Sequence, residues 1–169
     1  MLIIKGMMLF SVFGITTFLG LMMANKFKER VKDLKSILSI LNIIETKIKY
    51  TYEPLPQIFE DISNQFKTNI GNIFKVSRNK MKQVSAGEAW DYGVENSTTY
   101  MNEEDLQILK NLDKMLGKTD AEGQLSELEL MKNFIEVQIK KSEEEQMKNE
   151  KLYKSLGMTV GLALVIILI

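Results

Sequence analysis

Neither cysteine nor histidine occurs among the 169 residues. Without cysteine there is no disulfide framework, and nothing points to an oxidising compartment. Without histidine the commonest general base, the imidazole metal ligands and every Cys/His nucleophilic arrangement are missing. Net charge is absent too: 22 Lys and Arg balance 22 Asp and Glu, so no overall field draws the chain to nucleic acid or to an acidic surface. No GxxxxGK[ST] loop is present, so the chain is not read as binding and hydrolysing nucleotide by itself. Serines and lysines are plentiful, yet nothing around them resembles a nucleophile motif. There is no strand-like alternation, tandem repeat or low-complexity linker. These absences predict a chain that is not an enzyme and needs no cofactor or metal.

What is present is a strong segregation of charge. All charged residues but Lys5 lie between Lys26 and Lys154. Met7 to Ala24 is an uncharged run of 18 residues, "MMLFSVFGITTFLGLMMA". As a helix it spans about 27 Å, close to the ~30 Å hydrocarbon core of a bilayer. A cleaved signal peptide would want small residues at its cleavage site, but Met22 and Met23 precede Ala24, which favours an uncleaved anchor. The run from Ser155 to Ile169 is shorter, roughly 22 Å of helix. Leu152, Tyr153 and a snorkelling Lys154 extend it by about one turn. A closing helix of a soluble core would show a polar side, and this run shows only Ser155 and Thr159. Two membrane helices are therefore expected. Lys26, Lys28, Arg30, Lys32 and Lys35 follow the first, and Lys148, Lys151 and Lys154 precede the second. The positive-inside rule then puts the middle of the chain in the cytosol and both ends outside.

The middle reads as helix throughout. Val31, Leu34, Leu38, Leu41, Ile44 and Ile48 fall on one helical face. Pro54 and Pro56 end that helix and open another carrying Ile58, Ile62 and Phe66. A third carries Ile70, Phe74 and Met81. Ser85 with Glu88 is a capping box for a fourth. Asn102 is an N-cap for "EEDLQILKNLDKML", whose Glu103, Glu104 and Asp105 suit the positive end of a helix rather than a metal. Gly117 is expected to stop it. A long final helix is predicted from Thr119, with Glu122 completing a second capping box. Leu125, Leu128, Met131, Ile135 and Ile139 form its apolar face. The fold class expected is all-α, a cytosolic antiparallel helical bundle flanked by two transmembrane helices. Its divisions are a membrane helix over 1–25, a bundle over 26–139, a solvated helical stalk over 140–154 and a membrane helix over 155–169.

Small residues recur at four-residue spacing in both apolar runs: Thr16, Gly20 and Ala24 in one, Gly157 and Gly161 in the other. Such faces allow helices to approach closely in a membrane. The turn holding Gly117, Asp120, Glu122 and Gly123 is a candidate contact surface for a partner.

The stretches "YTYEPLPQIFEDIS", "VSAGEAWDYGV" and "LGKTDAEGQ", the last from Leu116 to Gln124, resemble the stage III sporulation protein AB family of endospore-forming bacteria. The resemblance covers almost the whole chain, including both apolar ends. That family is in turn similar to the helical domain of the type II secretion protein F, in which a G-x-x-L helix start and a GE-x-G-x-L turn recur. Here Ser85-Ala86-Gly87 and Glu122-Gly123-Gln124-Leu125 sit at comparable places. The wider family usually has duplicated helical domains, and this chain has one. The resemblance implies a non-enzymatic platform subunit of the channel between mother cell and forespore. It would lie in the mother-cell membrane facing the forespore, with its bundle in the mother-cell cytosol. The partners it implies are a cytosolic secretion-type ATPase, stage III sporulation protein AA, and other membrane subunits; a homo-oligomer is compatible. Two rivals stay open at this level: a membrane-bound enzyme, and a platform subunit of a type II secretion or type IV pilus-like system unrelated to sporulation.

The topology is open to direct labelling. With single cysteines introduced as Ile3→Cys or Lys80→Cys, a membrane-impermeant maleimide on intact cells is expected to label position 3 and spare position 80. Labelling at 80 but not at 3 would overturn the orientation argued from the lysines.

Overall fold

The computed structural model describes residues 2–51, 53–116 and 121–168. Among them there are six α-helices, one 3₁₀ turn and no strand. The helices are α1 (Leu2–Tyr50), α2 (Leu55–Gln65), α3 (Asn69–Lys80), α4 (Ala86–Glu95), α5 (Glu103–Lys110) and α6 (Ala121–Leu168). The 3₁₀ turn, Asn111–Lys114, follows α5 directly. Neither α1 nor α6 contains a proline, and each runs unbroken through the change from apolar to charged sequence. The chain forms two compact units, an end unit of residues 1–31 and 141–169 and a bundle unit of residues 32–140.

In the bundle unit the local signals are of the kind the sequence shows. Pro56 sits in the first turn of α2, where its missing N–H costs nothing. Ser85 accepts a hydrogen bond from the Glu88 N–H, and the Glu88 carboxylate accepts one from the Ser85 N–H. Asn102 and Asp105 make the same reciprocal pair at α5, at 2.8 and 3.0 Å. Thr68, which sequence reading passed over, caps α3 by accepting from the Gly71 N–H. Where the sequence predicts a helix over 103–116, α5 stops at Lys110 and tightens into the 3₁₀ turn. Three residues per turn put Leu109, Leu112 and Met115 on one side, and all three are buried. The expected Gly117 stop and Thr119 start lie outside the described residues.

The core gathers Leu34, Ile37, Leu41 and Ile44 of α1, Ile58 and Ile62 of α2, and Leu128, Met131 and Ile135 of α6. Ile37 and Ile40 are buried although the sequence reading left them off the face, while Leu38 is only half-buried. A helix covered from more than one side buries a wider arc than a single stripe. At the centre Phe59, Phe74 and Trp90 form a cluster with centroids 5.0–5.8 Å apart. The rings meet edge-on or tilted, the arrangement that their quadrupoles favour. The Trp90 indole N–H donates to the Leu109 carbonyl at 2.7 Å, so its one polar atom is satisfied inside the core. The Asp33 carboxylate, also buried, accepts from the Tyr100 N–H at 2.9 Å. At the rim Lys47 donates to Glu53 and Asp61. Asp61 first and Glu53 second hold its ammonium above the ordinary lysine value, and Lys47 in turn holds the Asp61 carboxyl down. Both groups are solvated, so the pair orients the α1–α2 connection more than it stabilises it.

Helices α3 and α4 approach so closely that a Cβ on Gly93 would collide with the Ser77 hydroxyl and lie 2.8 Å from the Ile73 carbonyl oxygen. That hydroxyl is itself fixed by donating to the same carbonyl at 2.9 Å. Gly93→Ala is therefore expected to destabilise the bundle by roughly 1–3 kcal/mol, the usual cost of an overpacked core. Gly14→Ala, which meets nothing within 4 Å, should melt like the parent. Circular-dichroism melting in detergent separates the two, and equal melting of both variants would contradict the packing described.

Candidate functional site

Among the described residues no three His, Cys, Asp or Glu side chains stand close enough to hold a metal ion. Asp105, the innermost of the acidic run at 103–105, is buried and committed to its capping box. The features that call for a functional explanation are apolar surfaces, one in each unit.

In the end unit the apolar parts of α1 and α6 run antiparallel. Gly20 faces Gly157: a Cβ on Gly20 would stand 2.7 Å from the Tyr153 carbonyl oxygen and 2.8 Å from the Gly157 Cα. One on Gly157 would stand 3.0 Å from both the Thr16 carbonyl oxygen and the Gly20 Cα. One on Gly161 would meet the Thr16 hydroxyl and the Phe13 ring. The Thr16 hydroxyl is turned back onto its own helix, donating to the Val12 and Phe13 carbonyls. Ala24 is buried on the same side. The four-residue spacing noted in the sequence thus brings Thr16 and Gly20 against Gly157 and Gly161. A Cβ at Gly20 would force a backbone to shift, and one at Gly157 would require the facing backbone to give by a few tenths of an ångström.

Past the glycines the contact becomes aromatic and then ionic. Phe27 stacks on Tyr153 with centroids 5.7 Å apart. Arg30, which is buried, donates to Glu145 at 2.5 Å. Ser142 is buried as well, while Glu144, Met147 and Lys148 face outward. Residues 141–154 are therefore covered along one side by α1, unlike the solvated stalk expected over 140–154. Glu150 accepts from Lys154 at 2.6 Å, the i,i+4 pair anticipated from sequence. Its carboxyl is held below the ordinary value by Lys154, then by Gln146 and, at longer range, by Lys28.

The two apolar runs are long and apolar enough to cross a membrane. Only 11% and 6% of the respective 18-residue windows are buried inside the protein. A closing helix of a soluble core would bury most of such a run. Here Phe10, Ile15, Phe18, Leu162, Ile166 and Ile167 all stay exposed.

Among its described residues the bundle unit carries an apolar groove that sequence reading missed. It holds about 250 Å³ between the 3₁₀ turn and α6, lined by Ile108, Leu112, Met115, Leu130, Met131 and Phe134 among others. Leu130 is 50% exposed and Phe134 49%, and Val137, one turn on, is 61% exposed. Lys114 and Glu127 stand at its edges. The signal in the sequence is a second stripe on α6, at 130, 134 and 137, offset from the core stripe at 128, 131 and 135. Of the expected partner-contact turn, Gly117 and Asp120 lie outside the described residues. Glu122 is exposed and Gly123 half-buried in the first turn of α6.

Comparison with known proteins gives this arrangement a family. The family described as Stage III sporulation protein AB matches residues 5–169. A relative of that name from Bacillus subtilis (strain 168) is 27% identical over 157 residues, covering 90% of this chain and 92% of its own. A solved structure titled Stage III sporulation protein AB superposes with a TM-score of 0.67 at 21% identity, covering 71% of this chain and 98% of that one. At that identity the superposition speaks for the fold. The match to the family extends over both apolar runs and the charged helices between them, and the chain belongs to the stage III sporulation protein AB family.

Proposed function

We propose that this chain is a non-enzymatic membrane platform of the sporulation machinery. Both of its ends cross the mother-cell membrane facing the forespore, and its bundle lies in the mother-cell cytosol. The observation that carries this reading is the pair of long apolar helix runs, packed on each other through glycine yet largely bare on their outer faces. Bare apolar surface of that length is costly in water and at home in lipid. Lys26, Lys28, Lys151 and Lys154 at the charged ends of the runs support a cytosolic assignment of that side by the positive-inside rule. The family supplies the context of sporulation.

A platform acts by holding other subunits, and the bundle groove is the surface suited to that role. Exposed aromatic and aliphatic groups beside a formed groove, rimmed by one lysine and one glutamate, are the usual makings of a contact surface. The partner proposed is the secretion-type ATPase, stage III sporulation protein AA, which would bring the nucleotide chemistry for which this chain has no motif. In this reading the platform transmits or positions, and the ATPase does the work.

Phe134→Asp tests the docking surface. Because Phe134 is half exposed, its substitution should leave bundle melting close to that of the parent. Co-purification of the ATPase from membranes of sporulating cells should fall by roughly 30-fold, the loss of a ~2 kcal/mol aromatic anchor. Phe134→Leu should retain most of it. Unchanged co-purification with Phe134→Asp would remove the groove from the docking surface. A parent that brings down no ATPase at all would remove the platform reading.

A further inference from the structure

The end unit carries a cleft of about 390 Å³ beside the glycine contact. It is graded along its length. Phe18, Leu21 and Met22 of α1 form its apolar wall, and Asn25 and Lys28 continue the same stripe toward the charged end, opposite Glu150 and Lys154 of α6. Residues 18, 21, 22, 25 and 28 share one helical face. From Phe18 to Lys28 the rise is about 15 Å, half of the ~30 Å hydrocarbon core and so the depth of one leaflet.

We propose that this cleft is a binding site for an anionic glycerophospholipid of the leaflet on the lysine side. An acyl chain lies along Phe18, Leu21 and Met22, and the phosphodiester sits between the Lys28 and Lys154 ammonium groups, with the Asn25 amide as a further donor. The proposal rests on the membrane reading given above. Three features select this occupant. Apolar wall and cationic head together span about the depth of one leaflet, which suits a lipid and not a free phosphate. The head of the cleft carries two lysines against one glutamate, a single excess positive charge that one phosphodiester neutralises. A zwitterionic lipid would bring its own ammonium to the same place and leave that excess uncompensated. Finally, Glu150 already fixes Lys154 at 2.6 Å, so one of the two cations is held in place before any ligand arrives. Among the described residues Lys28 makes no hydrogen bond and acts on Glu150 only at longer range, which leaves its ammonium available. Basic pockets between membrane helices on the cytoplasmic side are a recurrent solution for anionic headgroups.

The experiment uses the full chain in vesicles of equal phosphatidylglycerol and phosphatidylcholine, with native mass spectrometry of the lipids retained on release. Phosphatidylglycerol should be retained in preference to phosphatidylcholine. Lys28→Gln and Lys154→Gln should each lower that preference by roughly fivefold. Glu150→Gln, which removes the opposing charge but keeps an amide oxygen to which Lys154 can donate, should raise it, a gain that a merely misfolded variant would not give. Lys82→Gln, on the bundle, should change nothing. Equal retention of the two lipids, or a preference indifferent to Lys28, Lys154 and Glu150, overturns the proposal. So does displacement of the lipid by millimolar inorganic phosphate or soluble glycerophosphoglycerol, because the site would then be one for a free phosphate. Alkaline carbonate extraction is run on the same membranes. If the parent chain is released by carbonate, the membrane reading fails and the lipid site with it. If the chain stays in the membrane and shows no lipid preference, the lipid site fails alone.

Discussion

At Gly20 and Gly157 two helix backbones meet so closely that a Cβ on Gly20 would stand 2.8 Å from the Gly157 Cα, and the end unit takes its register from that contact. Once those two positions are opposed, Gly161 falls on Thr16, Tyr153 on Phe27 and Glu145 on Arg30. The contact has to be close. In the membrane placement proposed above, lipid leaves no water to expel between the helices, so association rests on dispersion and on interhelical polar contacts. Dispersion is worth only about 0.1–0.2 kcal/mol per atom pair and decays steeply with separation. Glycine brings whole backbones into range and multiplies the number of such pairs. Past the glycines the contact continues through the Phe27–Tyr153 aromatic pair to the Arg30–Glu145 ion pair, from apolar to charged sequence.

The bundle unit is held by the opposite physics. Its core is Leu, Ile, Phe and Trp removed from water, and its one buried indole N–H and its buried Asp33 carboxylate are both hydrogen-bonded. Its surface is charged on both signs, with ion pairs such as Lys132–Glu45 and Arg78–Glu60 at the rim. Such pairs contribute little each to stability. Against that background the apolar groove beside Phe134 stands out, because nothing among the described residues of the unit covers it. The interpretation of the protein as a scaffold comes from this contrast: a unit suited to lipid, a unit suited to water, and an apolar surface on the second that neither environment explains.

Much of this was legible before the structure. The prolines at 54 and 56, the capping box at Ser85, the N-cap at Asn102, and the three-four spacing of α1 and α6 locate the helices, because each is a local effect with a local cause. The glycine spacing was legible for the same reason. What could not be read is what depends on neighbours distant in sequence. Ile37 and Ile40 are buried because α1 is covered on more than one side, which its own periodicity cannot disclose. The 3₁₀ turn at 111–114 exists because Leu112 and Met115 must both reach the core, and Thr68 looks like any loop threonine until Gly71 is seen to donate to it. Leu130 and Phe134 sit on the same helix as the core stripe, and composition alone could not separate a core face from a contact face. Arg30 and Glu145 are 115 positions apart, and their pairing follows only once the glycines have set the register.

The central claim is that the apolar runs of α1 and α6 lie within a bilayer as a pair. Spin labels placed singly at Met158, Leu162, Ile166 and Lys148 of the otherwise cysteine-free chain, in vesicles, report it most directly. The account expects molecular oxygen to collide readily with labels at 158, 162 and 166 while a polar nickel chelate does not, and the reverse at 148. Nickel access at 158, 162 and 166 as high as at 148 would place the run in water and contradict it.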